Sequence, residues 1–193
     1  MVAEGVRTKR WTVEEIDRIV AMGLLDDPQH YELLDGDLIE KMPQNDPHWY
    51  GVSFTLQALL EVFGVGQPFV SQGPLKLGPI DAPEPDVAFF ERNTPHMKGS
   101  EVLIVVEVGD SSLQGDLRRK ARVYARHGIA DYWVVDTIDR RLVVHRKPDP
   151  ETEVYGDVRS YRSGDVISPL AASEHMIAIG DLLRQGEDRA DVE

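Results

Sequence analysis

The run Val102-Leu103-Ile104-Val105-Val106-Glu107-Val108 is apolar at every position but one, and most of its residues are β-branched. A run of that kind marks a strand covered on both faces in the middle of a sheet. Glu107 interrupts it. A carboxylate at that position must be paired, bind a cation or take up a proton, because leaving it bare in a dry interior costs several kcal/mol or more. Whatever fold the chain takes must therefore bring a partner to Glu107.

A second acid lies upstream. Pro85-Asp86-Val87-Ala88-Phe89-Phe90 reads as a short strand with proline at its first residue and Asp86 next, so two carboxylates stand on neighbouring strands. After Glu107 the chain turns through Gly109-Asp110-Ser111-Ser112 into a helix that ends near His127-Gly128, where glycine suits the position just past the last turn. At about 100° per residue, Leu113, Leu117, Lys120 and Tyr124 fall within roughly 60° of one another, which puts Lys120 on the inward stripe. Arg118, Arg119, Arg122 and Arg126 spread over the other side, where a charge with no task belongs. An isolated lysine on an apolar stripe usually snorkels past the core edge. Facing Asp86 and Glu107, it has something to meet.

Two acids and a lysine are what divalent-metal phosphodiester cleavage requires. Carboxylates hold a hard cation such as Mg²⁺ or Mn²⁺ by oxygen and leave places for water and phosphate. The cation stabilises charge on the transferring phosphoryl group while an ammonium orients the attacking water.

At these residues the chain resembles the PD-(D/E)xK nuclease superfamily, and more closely the Uma-two family of restriction-endonuclease-like proteins. The closer resemblance spans residues 31–183. It is carried by Tyr31-Glu32-Leu33-Leu34-Asp35-Gly36-Asp37-Leu38-Ile39, Met42-Pro43 with His48, Glu84-Pro85-Asp86-Val87, Val106-Glu107-Val108, Asp116 with Lys120 and Tyr124, and Gly128 through Asp136. The resemblance implies an α/β fold with a restriction-endonuclease-like core, a central mixed β-sheet flanked by helices. It also implies Asp86, Glu107 and Lys120 as catalytic residues, Asp86, Glu107 and the carbonyl of Val108 as metal ligands, and a 5′-phosphate product. Glu32, His48, Asp116 and Tyr124 form a second tier. There are two departures. The common pattern has its lysine two residues after the glutamate, where this chain has Gly109, so the role passes to Lys120. Where the family often has serine-proline, this chain has Asp110-Ser111-Ser112.

Composition sets limits on the partner. At 193 residues one domain is expected, over 1–183, with 1–10 loose and an acidic, disordered tail at 184–193. No apolar run is long enough to span a bilayer and the N-terminus has no signal-peptide core, so the expectation is a cytoplasmic protein with no membrane partner. Zero cysteines exclude disulfides, thiolate zinc sites and cysteine nucleophiles. The net charge of −13 counts against a tight, non-specific DNA binder. Residues 118–126 nonetheless hold five basic residues and no acid, which makes Arg119 and Arg122 the candidates for nucleic-acid contact, and Arg140, Arg141, Arg146 and Lys147 form a second cluster.

The remaining elements follow from local signals. Thr12-Val13-Glu14-Glu15 has capping-box spacing and opens a helix with Ile16, Ile19 and Val20 on its apolar face. Asp35-Gly36 joins strands Tyr31–Leu34 and Asp37–Met42 as a hairpin. Glu32 lies in the first of these, where a lone acid on an edge strand is ordinarily solvated. Asp46-Pro47 opens a helix whose Val52, Leu56, Leu59, Leu60 and Phe63 recur at helical spacing. His48 sits in its first turn. Phe69–Leu77 reads as one or two strands, Tyr132–Asp136 and Arg141–Arg146 as a pair, Pro148–Glu153 as an acidic loop, Val154–Ile167 as further strands, and Met176–Ile179 as a last strand before a helical turn.

The reading is therefore a Mg²⁺- or Mn²⁺-dependent endonuclease acting on nucleic acid, DNA by expectation, with a homodimer expected by analogy because double-strand cleavage needs two sites. The alternative is a catalytically silent nuclease-fold interaction or regulatory module. A small-molecule hydrolase using the same acids is a third class.

Overall fold

The structure, a computed structural model, describes residues 8–41, 46–91, 98–109 and 114–184, the side chains of 114–116 excepted. Helix α1 (Val13–Ala21) starts at Thr12, whose hydroxyl accepts from the Glu15 N–H at 3.2 Å while the Glu15 carboxylate accepts from the Thr12 N–H at 3.0 Å. Only Val13 is buried in this helix, and Val20 is exposed, so its apolar face is narrower than the spacing predicts. Strands β1 (Tyr31–Leu34) and β2 (Asp37–Glu40) form an antiparallel hairpin. Asp35 and Gly36 turn it with φ of 52° and 75°, the left-handed pair that a two-residue turn of this hand requires.

Residues 8–10 depart from the expected loose N-terminus. Arg10 Nη1 donates to the Asp35 carbonyl at 2.6 Å and to Asp37 Oδ1 at 2.8 Å, and the Trp11 N–H donates to the Gly36 carbonyl at 2.8 Å. The turn's exposed acceptors give this stretch a place to bind. Residues 1–7 and the tail from 185 onward lie outside the described residues, as do Met42-Pro43, Asp110-Ser111-Ser112 and Leu113.

Helix α2 (Asp46–Phe63) sends Val52 and Leu59 into the core. Strand β3 is only Phe69–Val70, shorter than the Phe69–Leu77 reading, because the backbone from Gln72 on bonds to Pro85, Asp86 and Pro83 outside the ladder. Then come β4 (Val87–Phe90), β5 (Val102–Gly109), α3 (Gln114–Arg126), β6 (Asp131–Asp136), β7 (Arg141–Asp149) and β8 (Val154–Arg162). β7 runs through Asp149, into what the sequence presents as an acidic loop. β9 (Val166–Ile167), β10 (Ile177–Ala178) and the short α4 (Ile179–Leu182) close the described chain.

Six strands form one sheet in the order β3-β4-β5-β6-β7-β8. β5 and β6 are parallel and all other neighbours antiparallel, so the sheet is mixed, as expected. A parallel pair needs a crossover, and α3 supplies it. One sheet face packs Ile104, Val106, Val108, Trp133 and Val135 with α2 residues Val52 and Leu59. The other packs Val105, Tyr132 and Val134 with Tyr124 of α3 and with Leu75. α2 sits close on the sheet at Gly51, where a Cβ would lie 2.6 Å from Val108 Cγ1. Glu107, flanked by Val106 and Val108 on the α2 face, points to the α3 face.

Candidate active site

Antiparallel register pairs Val87 with Val106, and one further step outward sets Asp86 opposite Glu107. Burial is nearly complete: Asp86 is 6 % exposed, Glu107 4 % and Lys120 5 %. Lys120, presented by α3, places Nζ 3.2 Å from Glu107 Oε2 and 3.1 Å from Glu32 Oε2. Tyr124, one turn on, donates its hydroxyl to Glu107 Oε1 at 2.6 Å. The i, i+4 spacing of Lys120 and Tyr124 thus delivers one donor to each oxygen of Glu107. Asp86 accepts from the Val108 N–H at 2.7 Å through Oδ2, and its Oδ1 lies 3.1 Å from His48 Nε2 in the first turn of α2.

Glu32 is buried rather than solvated, because β1 lies against α3 and Ala82 instead of at an open edge. Besides meeting Lys120 it accepts from the Glu84 N–H at 3.1 Å. Glu84 is itself buried and bound by Lys41. The cluster accordingly holds Glu32, Glu84, Asp86 and Glu107 against Lys120, Lys41 and His48.

The electrostatics follow from that imbalance. Burial raises Glu107 to a pKa of about 8; Lys120 opposes the rise, Asp86 and Glu32 add to it, and the Tyr124 hydroxyl opposes it. Asp86 is raised by burial against the pull of His48, the Val108 N–H, Lys120 and Gln72. Glu84 is raised by burial against Lys41. Tyr124 is raised well above the usual phenol value by burial and by Glu107, so its hydroxyl remains a donor.

The expected trio of Asp86, Glu107 and Lys120 is thus brought together, with Glu32, His48 and Tyr124 in contact with it. All three side chains are nearly covered. Asp116 lies in the first turn of α3, and its side chain is outside the described residues. Glu84, Lys41 and Gln72 were missed by sequence reasoning. Glu84 had a usable signal: it stands in the Glu84-Pro85-Asp86-Val87 block that carries the family resemblance.

Arg119 has a task, contrary to the reading of the outer helix face as unoccupied charge. Its guanidinium bonds to Asp37 Oδ2 and the Leu34 carbonyl, both at 2.7 Å, and to Asp35 Oδ2 at 3.2 Å. Arg126 pairs with Asp35, Asp81 and Glu153. These arginines hold the β1–β2 hairpin, and so Glu32, against α3. Arg122 is more exposed and pairs with Glu153 at 2.6 Å. In the second basic cluster, Arg141 is bound to Asp136 and Asp139, and Arg146 to Asp131.

Among the described residues no three histidine, aspartate or glutamate side chains converge to hold a metal ion. The donor set nonetheless fits a hard divalent cation that keeps much of its water: two buried carboxylates with raised pKa on adjacent strands, and an excess of negative charge around them.

A mixed sheet between helices, with buried acids meeting a helix-borne lysine at its parallel pair, defines an α/β protein with a nuclease-like fold. A crystal structure described as "a putative nuclease belonging to DUF820 from Anabaena variabilis ATCC 29413" has the same fold, with a TM-score of 0.66 over 87 % of this chain and 96 % of that one at 18 % identity. The Uma2 family model, described as "Putative restriction endonuclease", matches residues 13–178, and the chain belongs to that family. No curated protein matches it. No helix among the described residues is long and apolar enough to cross a membrane.

Proposed function

We propose that the protein is a metal-dependent phosphodiesterase of restriction-endonuclease type acting on nucleic acid, with DNA as substrate. The observation that carries this reading is Glu107: a carboxylate in the central strand, raised to about 8 by burial and by other acids, with Lys120 3.2 Å away. A group whose charge is this poorly compensated has the character of a site that takes a cation or handles a proton.

In this reading Asp86, Glu107 and the Val108 carbonyl hold Mg²⁺ or Mn²⁺. When bound, the cation supplies Lewis-acid stabilisation of the phosphoryl group and lowers the pKa of its water. The chain's own groups do the rest. Tyr124 fixes the rotamer of Glu107. Lys120, held between Glu107 and Glu32, orients the water that attacks in line, and Glu32 aims the ammonium. His48 orients Asp86, and Arg122 meets a backbone phosphate.

A second reading, a catalytically silent module, is favoured by the net charge of −13 and by the low exposure of the trio. Thermal melts with and without millimolar Mg²⁺ or Mn²⁺, run beside cleavage assays on DNA and RNA, separate the two. Nuclease action predicts a metal-induced rise in Tm that Asp86→Asn abolishes together with cleavage. Lys120→Ala keeps the rise and loses cleavage. A wild-type protein indifferent to both metals and inert on both nucleic acids leaves the silent module standing.

A further inference from the structure

The two edges of the main sheet are built differently. β3 presents a two-residue edge, Phe69–Val70, too short to template another strand. β8 presents nine residues, Val154–Arg162, and among the described residues no backbone group outside the sheet bonds to 154–161. It carries no proline and no lysine, its charged residues are Asp157, Arg159 and Arg162, and its apolar residues Val154 and Val158 are 53 % and 52 % accessible.

The charges on this edge decide what it fits. Asp157 and Arg159 flank Val158 and lie on one face, where Arg159 Nε donates to Asp157 Oδ1 at 2.8 Å and Nη2 to Oδ2 at 3.1 Å. In an antiparallel pair of identical strands centred on Val158, Asp157 meets Arg159 of the second copy, and Arg159 meets Asp157. Val158 meets itself. Opposite charges directly across an antiparallel ladder are favourable, and like charges there are not. The strand is thus self-complementary about one residue, as a two-fold interface requires. We infer that β8 is a homodimerisation edge, pairing antiparallel with β8 of a second copy about a two-fold axis at Val158. The inference does not depend on the nuclease reading.

Sedimentation of the full chain across a concentration series tests it, because the swap of charges can be undone. Wild type should sediment as a dimer. Arg159→Asp sets two acids opposite two acids and should weaken dimerisation by about tenfold or more. The double variant Asp157→Arg with Arg159→Asp restores opposite pairs and should restore the dimer. Val158→Cys, in a protein with no cysteine of its own, should cross-link to a covalent dimer on oxidation. A wild type that stays monomeric throughout overturns the inference. So does a dimer that Arg159→Asp leaves unchanged and Val158→Cys does not cross-link.

Discussion

Glu107 and Asp131 are buried carboxylates on adjacent parallel strands, 4 % and 0 % exposed, and the protein treats them in opposite ways. Asp131 receives four donors on its two oxygens: Trp133 Nε1 at 2.7 Å, Arg146 Nε at 2.8 Å and Nη2 at 3.3 Å, and the Leu170 N–H at 2.8 Å. Its charge has a bidentate guanidinium and no acid among these partners, the arrangement that repays desolvation. Glu107 receives one donor on each oxygen, shares its lysine with Glu32, and sits within reach of the charge on Asp86. Asp131 ties β6 to β7 and to the segment at Leu170. Glu107 ties nothing together that a neutral residue could not. A buried acid with a full set of donors is part of the frame; one left short of positive charge is available for a ligand.

The largest expected effects exchange the phenotypes of these two positions. Asp131→Ala leaves Arg146 and Trp133 facing a cavity, and the cost should be about 3–5 kcal/mol of unfolding free energy, read from urea titration. Glu107→Gln should keep stability within about 1 kcal/mol of wild type or raise it, while any cleavage falls by about 10³-fold. If Glu107→Gln unfolds the protein and Asp131→Ala does not, the division between frame and site is wrong.

The pH dependence of stability is the next effect in size. The folded pKa of Glu107, about 8, lies above its unfolded value of 4.5, so the native state binds the extra proton between the two. Asp86 and Glu84 are raised as well and act in the same direction. The contribution of Glu107 is fully present below about pH 4.5 and is lost as pH rises through about 8, so metal-free protein should become less stable across that interval by on the order of 5 kcal/mol. Glu107→Gln should flatten much of that slope. Melts in chelator from pH 5 to pH 9 measure it, and a wild-type stability that rises over the same range contradicts the assignment.

The contrast between the two acids was half legible in the sequence. Glu107 announces itself because it breaks an apolar run, and Lys120 because it breaks an apolar helical stripe; both are local violations of period, and both persist in the fold. The hairpin turn at Asp35-Gly36 and the capping box at Thr12 were equally local. What was not legible depends on packing at long range. Nothing in the sequence near Glu32 says that Lys120 will reach it, and an acid on a short hairpin ordinarily ends in water. Arg119 and Arg126 look idle on a helical wheel, because the wheel does not show the hairpin that covers that side of α3. The same blindness hid Lys41, whose partner Glu84 is far away in the chain.

The smallest expected effect concerns two arginines of α3 and asks whether positive charge serves the frame or a ligand. Arg119 makes its bonds with Asp35, Asp37 and the Leu34 carbonyl while only 28 % of its side chain is exposed, whereas Arg122, 60 % exposed, has one pair with Glu153. Arg119→Ala should lower stability by about 1 kcal/mol and speed hydrogen exchange in the β1–β2 hairpin. Its effect on nucleic-acid affinity should be uniform across salt concentrations, since the change acts through the hairpin. Arg122→Ala should leave the melting temperature unmoved, because a lone exposed pair contributes little. If Arg122 meets a phosphate, the same substitution reduces the slope of log affinity against log salt by about one. A reduced slope in Arg119→Ala, with the hairpin's exchange unchanged, would move Arg119 from the frame to the ligand side of the comparison.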